Sequence, residues 1–240
     1  MRDFADIHAF VTGASSGIGR ALAVALAAHG AHVHIAARRD GPLAEACAQV
    51  EQARRHPGQR CTAHPLDVTD EARVRAAFDA LAAQRMAPQL VVNSAGVVAQ
   101  QLALDPSVTH RPGYFDVTPA EVYRQLIAVN YLGAVHVCQA AAPHLRQGAH
   151  IVNVASGAVF LPLPGYAAYV GSKSALAGFT EVLRHEMRPR GVRVSLAYPE
   201  DTDTPQLHAE RATRAPEVNA VADLSSVMSA ERAAHLILRG

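Results

Sequence analysis

Lysine is almost missing from this chain of 240 residues: of its 22 basic side chains 21 are arginine, and Lys173 stands alone. The bias fits a GC-rich genome and carries no function by itself, but it makes the single lysine a position to locate. Net charge is also nearly absent, at +1, so no field steers the protein onto nucleic acid or anionic lipid. Cysteine is scarce. Cys47, Cys61 and Cys138 form no CxxC and cannot all pair, which excludes a disulfide-stapled scaffold and points to a reducing cytoplasm. The 13 histidines are scattered, with no HExxH and no Cys/His ligand spacing, so no metal site is expected. The longest apolar stretch, Tyr131 to Leu145, is interrupted by His136, Gln139, Pro143 and His144 and falls short of a membrane span. A first strand beginning by Ile7 leaves no room for a signal peptide. A cytoplasmic location follows, with any membrane contact peripheral, at its cytoplasmic face. Internal repeats and low-complexity tracts are lacking.

What is present is an alternation. Half of the residues are hydrophobic and 18% are charged, a balance suited to one sizeable globular domain. Short β-rich runs stand near Ile7–Thr12, His32–Ala36, Cys61–Leu66, Leu90–Ser94, His150–Ala155 and Arg193–Tyr198. Helical patterns fall near Gly17–His29, Pro42–His56, Asp70–Gln84, Pro119–Arg146 and Tyr166–Arg188. Strands separated by helices pair in parallel, because each crossover needs a helix to return to the same edge. The fold class is therefore α/β: a doubly wound parallel sheet of the Rossmann kind with helices on both faces, one domain over residues 1–240. Thr118, Pro119 and Glu121 spell a capping box for the fourth long helix. Two segments break the alternation, an insertion at 97–117 and a lid-like region at 199–228 rich in acids at its start; loops of such length are functional or mobile.

After the first strand the chain reads Thr12-Gly13-Ala14-Ser15-Ser16-Gly17-Ile18-Gly19 and enters an apolar helix. Glycines there let the backbone turn tightly against a pyrophosphate whose charge the helix amides stabilise. Gly13, Ser15, Ser16, Gly17, Ile18 and Gly19 are the expected cradle. A glycine cluster alone is weak, but in the first strand-to-helix turn it carries weight. The end of the second strand selects the cofactor: an acid there holds ribose hydroxyls, whereas arginine suits a 2′-phosphate. Arg38 and Arg39 occupy that place, and NADP(H) is expected, with Arg38 as the main contact. Asp67 and Val68 are placed to edge the adenine. Asn93, Ala95 and Gly96 close the fourth strand on the same crevice.

Tyr169 and Lys173 stand at i and i+4, on one helix face. A free tyrosine titrates near ~10 and is a poor acid–base group, and a neighbouring ammonium lowers it towards a useful range. Lysine also offers donors to a ribose. Ser156, just past the fifth strand, is placed to donate a hydrogen bond to a carbonyl oxygen as charge develops. Asn130 lies inside a helix and needs a partner, either a water near Lys173 or a core group.

Together TGASSGIG at 12–19, NSAG at 93–96, Asn130, Ser156 and YVGSK at 169–173 resemble the short-chain dehydrogenase/reductase family across essentially the whole chain. The resemblance implies a catalytic tetrad of Asn130, Ser156, Tyr169 and Lys173. In it Tyr169 protonates the carbonyl oxygen as nicotinamide delivers hydride, and Ser156 polarises the carbonyl. Lys173 tunes the tyrosine and binds ribose, while Asn130 supports a water relay. Within the family, Tyr198-Pro199-Glu200-Asp201-Thr202-Asp203-Thr204-Pro205, Ala215–Val218 and Met228–Glu231 resemble the reductases that convert the ketone of a long-chain amino-ketone, 3-ketodihydrosphingosine, with NADPH. By position Pro199, Thr202 and Thr204 would contact the nicotinamide half of the cofactor. Glu200, Asp201 and Asp203 would either attract the substrate's ammonium or form a solvated acidic loop. Glu200 stands where that subfamily has a second proline, and the 97–117 insertion is longer than the family's usual turn. Family members normally continue into a seventh strand after the helix expected from about Ser229. Alternatives stay open: a 3-oxoacyl thioester reductase, a general NADPH carbonyl reductase, or an inactive NADP(H)-sensing protein. Members commonly pair through their fourth and fifth long helices, so a homodimer or homotetramer is expected.

Overall fold

The computed structural model describes residues 4–99, 113–211, 214, 218–220 and 226–239. Six strands build the main sheet: β1 (His8–Thr12), β2 (His32–Ala37), β3 (Cys61–Pro65), β4 (Leu90–Asn93), β5 (His150–Val154) and β6 (Arg193–Ala197). All pair in parallel, in the order β3-β2-β1-β4-β5-β6. Thr12 lies opposite Ala36 of β2, and Val11 opposite Val92 of β4, which brings the carboxyl ends of the strands level. The helices are α1 (Gly17–Ala28), α2 (Asp40–Gln52), α3 (Glu71–Ala83), α4 (Ala120–Ile127), α5 (Gly133–Ala141), α6 (Ala167–Met187), α7 (Pro205–Arg211) and α8 (Ala230–Arg239). A two-stranded parallel ribbon joins β7 (Thr202–Asp203) to β8 (Met228–Ser229).

Side chains alternate across the sheet, and each face has its own core. Ala9 and Val11 of β1 pack with Leu22 and Leu26 of α1, Leu43 of α2 and Leu238 of α8. Phe10, between them in sequence, turns to the other face with Phe78 of α3, Val137 of α5 and Leu183 of α6. Its ring lies 4.6 Å from that of Phe78, centroid to centroid. Each such buried aliphatic or aromatic side chain contributes about 1.5–3 kcal/mol on removal from water. Two apolar faces on one sheet account for the near-continuous hydrophobic strands.

Four expectations change. Helix α2 starts at Asp40 and ends at Gln52, earlier than Pro42–His56 at both ends. The capping box does not form: Thr118 Oγ1 donates back to Tyr114 O at 2.7 Å, and Glu121 pairs with Arg124. The helix expected over Pro119–Arg146 is interrupted by a π turn at Ala128–Leu132 and closes in a 3-10 turn at Ala142–His144. As one stretch, Ala120–His144 is long and apolar enough to cross a membrane by length and composition, against the expectation of no such run. In the fold it contributes Leu126, Val137 and Ala141 to buried clusters. Most of the 97–117 insertion, from 100 to 112, lies outside the described residues, as do parts of the 199–228 region, including Ala215, Pro216 and Glu217.

Candidate active site

Strand order reverses between β1 and β4, and above that point a cleft of about 1230 Å³ opens over the carboxyl ends of the strands. Its floor is set by Thr12, whose Oγ1 accepts hydrogen bonds from the amides of Ser94 and Ala95 at 3.1 Å each. That contact holds the β1 and β4 turns together. A Cβ on Gly13, at φ +66°, would fall 2.7 Å from Ala95 Cα, and one on Gly19 would fall 2.5 Å from Gly13 O. Glycine is therefore required at both places. Ser15, Ser16, Gly17 and Ile18 line the cleft between them. Ser16 is the N-cap of α1 but makes no side-chain cap bond, and the first turn holds no acid. The amides there suit an anion.

Arg38 and Arg39 line the cleft at the end of β2 as exposed guanidinium groups with no carboxylate partner among the described residues. Asp67 and Val68 close that side. Asp67 Oδ1 accepts from Thr69 N at 2.9 Å and Thr69 Oγ1 at 2.8 Å, which fixes the turn. A tight glycine turn, a helix start without an acid and two exposed arginines fit the phosphates of a nicotinamide dinucleotide.

At the other end Ser156, Tyr169 and Lys173 converge. Ser156 Oγ accepts from Ala158 N at 3.2 Å, and Ser156, Tyr169 and Gln206 line the same part of the cleft. Lys173, on the same face of α6, is 4% exposed and donates to Val154 O at 2.9 Å. Its Nζ lies 5.9 Å from the Tyr169 ring centre. Burial pushes the phenol up to about 12, Ser156 draws it down, Glu210 and Asp201 push it up again, and Gln206 lowers it. Burial brings Lys173 down to about 8. Loss of water is thus the largest influence on the phenol, which is held protonated through the neutral range.

Two expected site residues do not face the cleft. Asn130, in the π turn, receives Val97 N at 2.8 Å, donates to Val97 O at 2.9 Å and bonds Ser172 Oγ. Its side chain clamps the chain next to Gly96 and so has the partners a buried asparagine needs. Asn93 points inward, donating to Asn153 Oδ1 at 2.8 Å, and its Oδ1 has no partner among the described residues. Its side chain ties β4 to β5, whereas Ala95 and Gly96 line the cleft.

The segment after β6 closes the cleft. Pro199 O accepts from Gly157 N at 2.8 Å, and Thr202 Oγ1 bonds Glu200 O at 2.8 Å. The Thr204 methyl would sit 3.0 Å from a Cβ on Gly17, so this segment reaches across to the glycine turn. Two of the three acids are already partnered. Asp201 holds Arg214 at 3.1 Å, and Asp203 holds His208 at 2.6 Å. Arg214 also bonds Glu210 at 2.8 Å and Tyr166 Oη at 3.0 Å, and the Tyr166 hydroxyl donates to Glu210. Tyr166, Gln206, Glu210 and Arg214, absent from the expected site, all line the cleft. The i,i+4 spacing of Glu210 and Arg214 was the one local signal for them.

The parallel sheet, the glycine turn and the Ser156–Tyr169–Lys173 set define a nucleotide-linked oxidoreductase, and the short chain dehydrogenase profile matches residues 7–215. The chain belongs to the short-chain dehydrogenase/reductase family. It is 32% identical over 235 residues to a 3-dehydrosphinganine reductase of Danio rerio, covering 97% of this chain and 67% of the relative. A short chain dehydrogenase of Burkholderia cenocepacia solved with NADP superposes with a TM-score of 0.80 at 30% identity, over 98% of this chain and 90% of that one. A Burkholderia phymatum family member solved with NAD gives 0.82 at 29%, over 100% and 86%. Neighbours therefore hold either nicotinamide dinucleotide.

Proposed function

We propose that this chain is an NADPH-dependent ketone reductase that converts 3-ketodihydrosphingosine to dihydrosphingosine in sphingolipid synthesis. The carrying observation is one continuous cleft with Ser156, Tyr169 and Lys173 at one end and Arg38 and Arg39 at the other. The name of the Danio rerio relative supports the substrate, and the arginines support the phosphate-bearing cofactor. When bound, the cofactor supplies a hydride to the carbonyl carbon. Ser156 orients the carbonyl by donating to its oxygen, and Tyr169 gives that oxygen its phenolic proton. Lys173, whose ammonium keeps donors beyond the one on Val154, stabilises the phenolate that remains and binds the ribose of the cofactor. Gly13–Gly19 hold the diphosphate, Asp67 and Val68 border the adenine, and Pro199, Thr202 and Thr204 cover the nicotinamide side. The site is expected in the cytoplasm, peripheral to the membrane that carries the lipid, in a homodimer joined through α4–α5 and α6.

NADPH oxidation with detergent-dispersed 3-ketodihydrosphingosine, beside an acetoacetyl thioester and a Tyr169→Phe control, tests the reading. Turnover of the amino-ketone that vanishes in the control supports it. Preference for the thioester, or equal slow turnover of both, removes the sphingolipid assignment and leaves a general ketone reductase. No turnover of any ketone removes the enzyme reading.

A further inference from the structure

A second hollow of about 370 Å³ opens beside the cleft, and the two share the side chains of Leu163 and Tyr166. Tyr114, Phe115, Pro164 and Val170 complete most of its wall, and no charged side chain lines it among the described residues. Phe115 is 75% exposed, and on the adjoining lip of the cleft Phe160 is 70% exposed. Single apolar side chains on a surface need no explanation, but a group of them around a concave mouth marks a ligand surface. Tyr166 divides this region from the polar one. Its hydroxyl belongs to the Glu210–Arg214 network, while its ring packs in a cluster with Tyr114, Leu163, Val170 and Val218. The Tyr169 ring stands 6.3 Å away, edge-on. From the proton-donating tyrosine one direction thus leads to charged groups and the other to a charge-free hollow.

We propose that this hollow is the subsite for the unbranched alkyl chain of the substrate, reached from the reacting centre past Leu163 and Tyr166. The proposal rests on the ketone-reductase reading and adds where the chain of a lipid ketone lies. A charge-free concave wall stabilises methylene groups by taking them out of water, which is worth about a fourfold gain in affinity for each one fully buried. A short polar ketone gains nothing from it.

Calorimetric titration of the whole chain with straight-chain alcohols, butanol to decanol, reads this without turnover. Affinity should rise about two- to fourfold per added methylene until the hollow is filled, with a negative heat-capacity change. Ala167 lines the hollow at an exposed position outside the catalytic set. Ala167→Phe should end the rise at a shorter alcohol, and Phe115→Ala should reduce each increment. Both variants should keep the far-ultraviolet spectrum and the butanone turnover of the unaltered protein. A flat series in the unaltered protein, or an unshifted one in Ala167→Phe, overturns the subsite. Butanone turnover is read separately. Its absence would count against the reductase reading, while the alcohol series alone would still decide where an alkyl chain binds.

Discussion

Tyr169 and Lys173 are displaced in opposite senses by the same cause, and this sets the pH behaviour of the reaction. Burial keeps the phenol protonated up to about 12, so it stays a donor throughout the neutral range. The lysine, brought down to about 8, loses its charge as pH rises through that value, and with it the group that stabilises the phenolate. Ketone reduction should hold steady between pH 6 and 7 and fall by up to about tenfold per unit above pH 8, one proton per inflection. Lys173→Arg, which stays charged, should be slower but lack the inflection; an unchanged inflection would assign it elsewhere. Tyr169→Phe should lose about 10²–10⁴ in kcat, the usual contribution of a positioned proton donor, with cofactor affinity kept. Arg38 sits exposed at the far end, with no carboxylate partner among the described residues. A charge-assisted bond to phosphate contributes about 1.5–3 kcal/mol, so Arg38→Ala should raise the KM for NADPH at least tenfold and leave that for NADH near its original value. Equal changes for both cofactors would count against a 2′-phosphate contact.

At the scale of elements, the six strands of the main sheet were readable from sequence to within a residue or two. Short apolar β-branched runs such as Leu90–Asn93 and His150–Val154, set between helices, suit strands buried on both faces. The two-residue strands β7 and β8 were too short to signal themselves. The glycine turn and the α6 pair were readable because their spacing is local. Asn130 was not: the π turn adds a residue to the helix and swings its amide onto Val97, a contact between distant segments. Nor were the partners of Asp201 and Asp203, which depend on how the 199–211 segment folds back. A further tertiary feature, a histidine row across the first three strands, went unread because its members are scattered. His8 Nδ1 meets His34 Nε2 at 3.0 Å, and His34 Nδ1 meets His64 Nε2 at 3.3 Å, in each pair one ring donating and one accepting. Burial first, then His64, His8 and His32, lower His34 from 6.5 to about 3. Folded, this imidazole binds fewer protons than unfolded between those values. Stability therefore falls as pH drops below 6.5 and goes on falling to about 3, with a slope of up to about 1.4 kcal/mol per unit from this one group. Urea midpoints for His34→Val should decline less steeply over pH 6.5 to 4 than those of the unaltered protein. Parallel declines would assign the acid sensitivity to other groups.

Across the whole molecule, the cleft is made by two parts of the chain far apart in sequence, the glycine turn after β1 and the segment after β6. They meet where Thr204 approaches Gly17, and Pro199 is held to Gly157 at the end of β5. A ligand lying along the cleft contacts both parts and binds only the folded form, so it stabilises by mass action. NADPH at a hundred times its Kd adds about 2.7 kcal/mol, which for a chain of this length raises Tm by about 5–10 °C. Global stabilisation alone does not show which parts the ligand touches. Amide hydrogen exchange separates them, because local openings cost less than global unfolding and respond to local contacts. Saturating NADPH should slow exchange in residues 13–19 and in residues 199–211 together, and more than NADH does at the same concentration. In Thr204→Gly the protection of 13–19 should persist while that of 199–211 weakens, since the contact that seats the second segment on the first is gone. Protection confined to 13–19 in the unaltered protein would mean that the segment after β6 does not close on the cofactor, and the roles given to Pro199, Thr202 and Thr204 would fall.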